Sequence, residues 1–250
     1  MKWRLLITGL VLTLLYPVGH AEAAPYIAGG TEWRPFSYSD EQGRLHGISI
    51  DIARRVLALA HIDTHFVSYP VNRLQAMMDK DQIDLNYADS PLWTHPDDLN
   101  RYVFSIPYLN VKEHLYFIAG HPAAATPVDK LQGMTIGMIR GYTYHALDAA
   151  LAEKRVSRLE TSQDLALLEL LQTRRVTAVA MVDDLYEYLI ASHRIDPATF
   201  QQGAQLSEAP LSIKLQRRHA ALLPSINAAI LTLQRSGELE RTRQSYIPAK

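Results

Sequence analysis

Tyr26-Ile27-Ala28-Gly29-Gly30, then Ile48-Ser49-Ile50-Asp51-Ile52-Ala53-Arg54-Arg55-Val56-Leu57-Ala58-Leu59-Ala60-His61-Ile62, then Ile83-Asp84-Leu85-Asn86-Tyr87-Ala88 are the stretches whose order decides the fold class. The first reads as a strand running into a loop that glycine permits. In the second, Ile48, Ile52, Val56, Leu59 and Ala60 recur at helical spacing. Phe66 and Val67 then suggest a short strand ended by Pro70, and Leu74, Met77 and Met78 mark one face of a second helix. The third stretch returns to strand. This β-α-β-α-β order predicts an α/β fold whose sheet is covered by helices.

Working outward, a second unit of the same kind begins near Leu115-Tyr116-Phe117-Ile118. Strands are expected at Met134–Ile139 and Ala178–Val182. Helices are expected at Ala146–Ala152, around Leu165 to Gln172, and at Leu185–Ala191. Leu211-Ser212-Ile213-Lys214-Leu215 alternates like a strand, and Leu222–Leu233 and Glu238–Tyr246 read as two closing helices. The outline is two α/β units with a late return segment.

At the other end, Lys2 and Arg4 precede an apolar run from Leu5 to Leu15, followed by Pro17, Gly19 and Ala21-Glu22-Ala23. That is the order of a secretory signal peptide, with cleavage expected after Ala23. The run is shorter than the roughly 20 residues a membrane-spanning helix needs. Without a cysteine after it, no lipid anchor is expected. A periplasmic, freely diffusing monomer follows as the expectation.

The whole chain of 250 residues carries 25 basic and 26 acidic side chains, a formal net charge of −1, and 48% apolar residues. Such a balance gives no clustered basic excess for nucleic acid. Zero cysteine excludes disulfides, thiolate nucleophiles, iron–sulfur clusters and cysteine-based zinc sites. His61-Ile62-Asp63-Thr64-His65 has ligand-type residues without a third cluster to complete a metal site. Gly133, Gly137 and Gly141 match neither the dinucleotide fingerprint nor a P-loop. No metal and no cofactor are expected.

Several motifs, in order across the mature chain, resemble the family 3 extracellular solute-binding proteins, the periplasmic receptors of polar amino-acid ABC transporters. They are Trp33-Arg34-Pro35-Phe36-Ser37-Tyr38, Gly47-Ile48-Ser49-Ile50-Asp51-Ile52-Ala53, Asp84-Leu85, Phe104-Ser105-Ile106-Pro107-Tyr108, Leu131-Gln132-Gly133-Met134-Thr135-Ile136-Gly137, Asn227-Ala228-Ala229-Ile230 and Ser236-Gly237-Glu238-Leu239. The resemblance implies a type II periplasmic-binding-protein fold, with two α/β lobes joined by two crossover strands and the ligand clamped between them. Lobe 1 would comprise residues 24–115 and 208–250, and lobe 2 residues 116–207. The crossovers would lie near Glu113–Phe117 and Ser207–Leu211, and the lobes would close about this hinge.

Within that frame the ligand-binding candidates are Trp33, Arg73, Tyr87, Asp89, Ser90, Trp93, Arg140, Tyr142, Thr143 and Asp183. Trp33 stands where the family carries an aromatic that packs on the ligand, and such a ring can also hold an ammonium. Asp89 departs from the small residues usual at its position, and a carboxylate there favours an amine; as an alternative it makes an Asx turn before Pro91. Ser90 and Thr143 offer hydroxyls; Tyr87, Trp93 and Tyr142 add aromatic surface. The family's Thr-x-x-Arg grips a ligand carboxylate through a guanidinium fork. Here Thr94-His95-Pro96-Asp97-Asp98 occupies that place, with no arginine before Arg101. Arg73, at a helix start, or Arg140, before Gly141-Tyr142-Thr143 at a strand-to-helix junction, could supply an anion anchor instead. Asp183, or its neighbour Asp184, is placed to accept an ammonium. The partners implied are a small-molecule ligand and an inner-membrane ABC permease. A second reading turns the cleft into a lyase or dehydratase site with Asp89 and Asp183 as acid and base; a third makes the chain a binding module for a sensor or partner enzyme.

Overall fold

The computed structural model describes residues 24–247, so the signal-peptide reading lies outside the described residues. Along the chain the elements are β1 (Tyr26–Gly30), β2 (Tyr38–Ser39), β3 (Leu45–His46), α1 (Ile48–Leu59), β4 (Thr64–Ser68), α2 (Val71–Asp79), β5 (Leu85–Asp89) and β6 (Tyr102–Phe104). There follow β7 (Leu109–Ile118), β8 (Met134–Ile139), α3 (Asp148–Ala152), β9 (Val156–Thr161), α4 (Asp164–Gln172), β10 (Ala178–Val182) and α5 (Asp183–Ser192). The chain ends with β11 (Phe200–Gln216), α6 (Leu223–Arg235) and α7 (Glu238–Tyr246).

The strands run β4-β1-β5-β11-β7-β10-β8-β9, with β6 also on β11. On one side β4, β1 and β5 are parallel to one another; on the other β10, β8 and β9 are. Each parallel set meets an antiparallel long strand, β11 on β5 and β7 on β10. The two long strands pair with each other from Phe200↔Ile118 to Leu211↔Leu109. They are the two crossovers of a type II periplasmic-binding-protein fold, and they join its two α/β lobes.

Helix α1 shows how the pattern becomes structure. Its apolar positions put Ile48, Ile50, Ile52, Ala53, Val56 and Leu57 into the interior. Each fully buried aliphatic side chain contributes about 1.5–3 kcal/mol. A charge at Ile52, which is 1% exposed, would break that face. Tyr87 belongs to the same core: it is 0% exposed, its hydroxyl lies 2.8 Å from Ser37 Oγ, and its carbonyl accepts from Tyr108. The ring fills the place of a side chain at Gly30, where a Cβ would lie 2.0 Å from it.

The structure extends the expected Leu115–Ile118 strand to the ten residues of β7 and the Leu211–Leu215 strand to the 17 of β11. It also adds β9, an edge strand whose exposed Ser157 and Arg158 hide the alternation. The expected helix at Ala146–Ala152 begins instead with a 3₁₀ turn at His145–Leu147 and is α-helical only over Asp148–Ala152.

Candidate functional site

A cavity of about 380 Å³ lies between the halves. One wall comes from the loop after β1 (Thr31, Trp33), the start of α2 (Val71, Asn72) and the end of β5 with its following loop (Ala88, Asp89, Trp93, Thr94). The other comes from the turn after β8, Gly141-Tyr142-Thr143. The floor is built by the crossovers, through Val111 and Glu113 of β7 and Ser207 and Lys214 of β11, with Val182 at the end of β10.

Trp33 is 6% exposed and packs on Phe36 with centroids 4.2 Å apart. It meets Trp93 edge-on at 5.8 Å, an arrangement aromatic pairs favour. The turn on the far wall is shaped by Gly141, whose φ of +84° suits glycine and whose Cβ would lie 2.9 Å from Asn72 Oδ1 across the cavity mouth. Tyr142, on that turn, faces the Thr31 side chain of the first wall. Outside the cavity, Arg34 reaches Tyr188 at 3.4 Å, and Arg243 of α7 grips Asp184 of α5. The halves therefore meet on several sides of the cavity.

The carboxylates around the cavity differ in their company. Asp79 lies 3.0 Å and Asp98 3.5 Å from Arg101. Asp89 is 3.1 Å from the ammonium of Lys214, accepts from Asn86 at 3.0 Å, and takes the Ser90 N–H at 2.7 Å. Lys214 is 3% exposed and lies over the Tyr102 ring, 4.2 Å from its centroid. Glu113 is different. Its one described hydrogen bond is from Ser207 Oγ at 3.4 Å, and no cation pairs with it among the described residues. Burial pushes its carboxyl up to about 7, with Asp183 acting in the same direction and Ser207 against it. Burial likewise raises Asp164, at the start of α4, to about 6, against the pull of Arg34.

Of the sequence-derived candidates, Trp33, Asp89, Trp93, Tyr142 and Thr143 line the cavity. The other five do not. Arg73 points outward over the Tyr69 ring, 4.5 Å from its centroid. Arg140 is exposed beside Glu160. Tyr87 sits in the core, and Ser90, 0% exposed, uses its hydroxyl to cap the next turn by accepting from Leu92 N–H. Asp183 accepts from Tyr116 and lies against His114, both at 2.8 Å. Strand alternation explains this last placement. His114 and Tyr116 project from the face of β7 opposite Glu113, and Asp183 follows Val182, whose strand partner is Glu113. Asp184 is 2% exposed and committed to Arg243.

Glu113, Lys214 and Asn72 are among the polar cavity residues that motif reading passed over. A lysine inside the alternating Leu211–Leu215 run was the available signal, because a central strand rarely buries an unpaired ammonium. Among the described residues, no group of three or more His, Asp or Glu could hold a metal ion, and no helix is long and apolar enough to cross a membrane.

This two-lobed arrangement has known counterparts. The family model for bacterial extracellular solute-binding proteins, family 3, matches residues 26–249. The arginine-binding periplasmic protein of Mannheimia haemolytica is 26% identical over 251 residues, covering 96% of this chain and 98% of that one. An ancestral arginine-binding protein bound to arginine superposes with a TM-score of 0.73 at 19% identity, over 89% of this chain and 98% of that one. A histidine kinase sensor domain similar to periplasmic binding proteins superposes with a TM-score of 0.75 at 16% identity, over 90% and 96%. With its family match spanning nearly the whole described fold, the chain belongs to the bacterial extracellular solute-binding proteins, family 3.

Proposed function

We propose that the protein is a periplasmic receptor that captures one small polar, nitrogen-bearing solute between its lobes and hands it to an inner-membrane ABC permease. The observation that carries the reading is the cavity itself, about 380 Å³, walled by both halves and floored by both crossover strands. A solute there touches both lobes at once, so it binds the closed arrangement better than an open one and shifts the population toward it. Residues 24–115 with 208–250 form one lobe and 116–207 the other, moving about β7 and β11. Trp33 and Trp93 supply aromatic faces, Tyr142 and Thr143 close from the opposite wall, and Lys214 and Asp89 present a polarised pair on the floor. The arginine-binding names of the relatives support a nitrogen-rich solute. The protein binds without chemical turnover, works as a monomer, and loses its leader after Ala23.

A thermal-shift screen over amino acids, amines and organic acids tests this. A captured solute raises the melting temperature by mass action and is recovered unchanged. A screen in which no solute shifts the transition removes the receptor reading, and turnover of the solute would move it to an enzyme.

A further inference from the structure

We infer that Glu113 is the anchor for a protonated amine or guanidinium group of the solute, and that the solute needs no carboxylate. The inference rests on the receptor reading and names its ligand class. Its first ground is position. Glu113 sits on β7 between Val182 of β10 and Ser207 of β11, each its direct strand partner. All three line the cavity, so the carboxylate is presented at the junction where the two lobes turn. Its second ground is the pairing around the cavity. Asp79 and Asp98 share Arg101, and Asp89 has Lys214, while among the described residues Glu113 meets only a hydroxyl. A half-buried carboxylate without a cation is unfavourable unless it is protonated or a cation arrives.

The third ground concerns the opposite charge. Arg73 and Arg140 point away from the cavity, and Arg101 is engaged with Asp79 and Asp98. Lys214 is the one Lys or Arg among the described lining residues, and Asp89 already neutralises it. Among the described residues, no guanidinium fork lines the cavity. The lining is therefore built to accept positive charge at the hinge and has no free cation for a carboxylate.

The groups around Glu113 are Ser207 of β11, Tyr142 and Tyr144 beyond β8, and, behind the strand, Asp183 at the start of α5. None is a cation, and Asp183 disfavours a second negative charge. The free carboxyl therefore holds its proton up to about pH 7 and must release it to pair with the incoming cation. Capture is then proton-linked, and affinity rises with pH.

The test is calorimetric titration of the full mature chain with agmatine, 1,4-diaminobutane, L-arginine, L-glutamine and succinate. Agmatine is L-arginine without its carboxylate, so the pair isolates that group. The expected result is that agmatine or the diamine binds at least as tightly as L-arginine. Between pH 8 and pH 6 the affinity should fall about tenfold, with proton release visible as a dependence of heat on buffer. Glu113→Gln should weaken amine binding about 30-fold or more while leaving the fold intact by circular dichroism. Three results overturn the inference: no amine or guanidine binding, binding of L-glutamine or succinate that Glu113→Gln leaves unchanged, or amine capture by the native chain at pH 6 without proton release. The second leaves the receptor reading standing, whereas silence toward every solute removes both. The proton-release measurement uses the native chain, so it decides the matter even if the variant fails to fold.

Discussion

The two ends of the cavity treat carboxylates in opposite ways. At the β5 end Asp89 is locked to Lys214 and hydrogen-bonded by Asn86 and the Ser90 N–H. At the hinge end Glu113 has, among the described residues, only Ser207. The first carboxylate is part of the architecture, because its partners satisfy it before any solute arrives. The second is an unmet requirement that the fold tolerates. Incompletely satisfied polar groups are expected at functional sites and are compensated elsewhere. The contrast teaches that acidic lining alone says little about ligand charge; the pairing of each acid decides.

That contrast can be broken from the β5 end first. Lys214→Met leaves Asp89 buried beside no cation, and removing one partner of a buried pair costs about 3–5 kcal/mol. Urea unfolding should show a loss near 3 kcal/mol, and a loss under 1 kcal/mol would mean the pair is no more structural than Glu113. Next comes the contact between α5 and α7. Arg243→Ala strips Asp184, itself 2% exposed, of its counter-ion. Since Arg243 is partly exposed, about 2 kcal/mol is expected, measured in the same way.

The hinge end should respond with the opposite sign. The folded protein holds the Glu113 proton more tightly than the unfolded chain, whose glutamate titrates near 4.5. The stability this proton confers is full below about pH 4.5 and is lost as pH rises through about 7. Glu113→Gln should therefore stabilise the unliganded protein at pH 8 by about 1–2 kcal/mol and have little effect at pH 4.5. Asp164→Asn should act alike over a lower window, ending near pH 6. Melting curves across pH 4 to 9 would check both, and a Glu113→Gln variant less stable at pH 8 would contradict the comparison. The smallest effects belong to Arg73→Ala and Arg140→Ala, whose exposed side chains should change solute affinity less than twofold and stability by at most about 0.5 kcal/mol. A large loss of affinity in either would show that a guanidinium reaches the cavity after all.

Much of the fold was legible in the chain because its elements are strongly periodic or bounded. The helical spacing from Ile48 and the apolar runs at Met134–Ile139 and Ala178–Val182 coincide with α1, β8 and β10. The site was legible only in part. Loop aromatics and the Gly141-Tyr142-Thr143 turn announce themselves locally, and Trp33, Trp93, Tyr142 and Thr143 do line the cavity. Whether a charged residue points inward depends instead on strand parity and pairing. One step along β7 separates Glu113, in the cavity, from His114, which engages Asp183 behind it. That parity is set by the register of β7 against β10 and β11, a long-range fact that motif reading does not contain. Likewise nothing near Asp89 in the chain discloses Lys214, which is 125 residues away.

The protonation state of the Glu113 carboxyl can be observed directly by NMR. In protein carrying carbon-13 in its glutamate side chains, with Glu113→Gln used to assign the signal, the Glu113 carboxyl resonance should titrate with a midpoint near 7 in the unliganded protein. Saturating agmatine should move that midpoint down, because a bound cation favours the ionised form. A midpoint near 4.5 without ligand, or one that agmatine leaves in place, would contradict the claim that the hinge carboxylate awaits a cation.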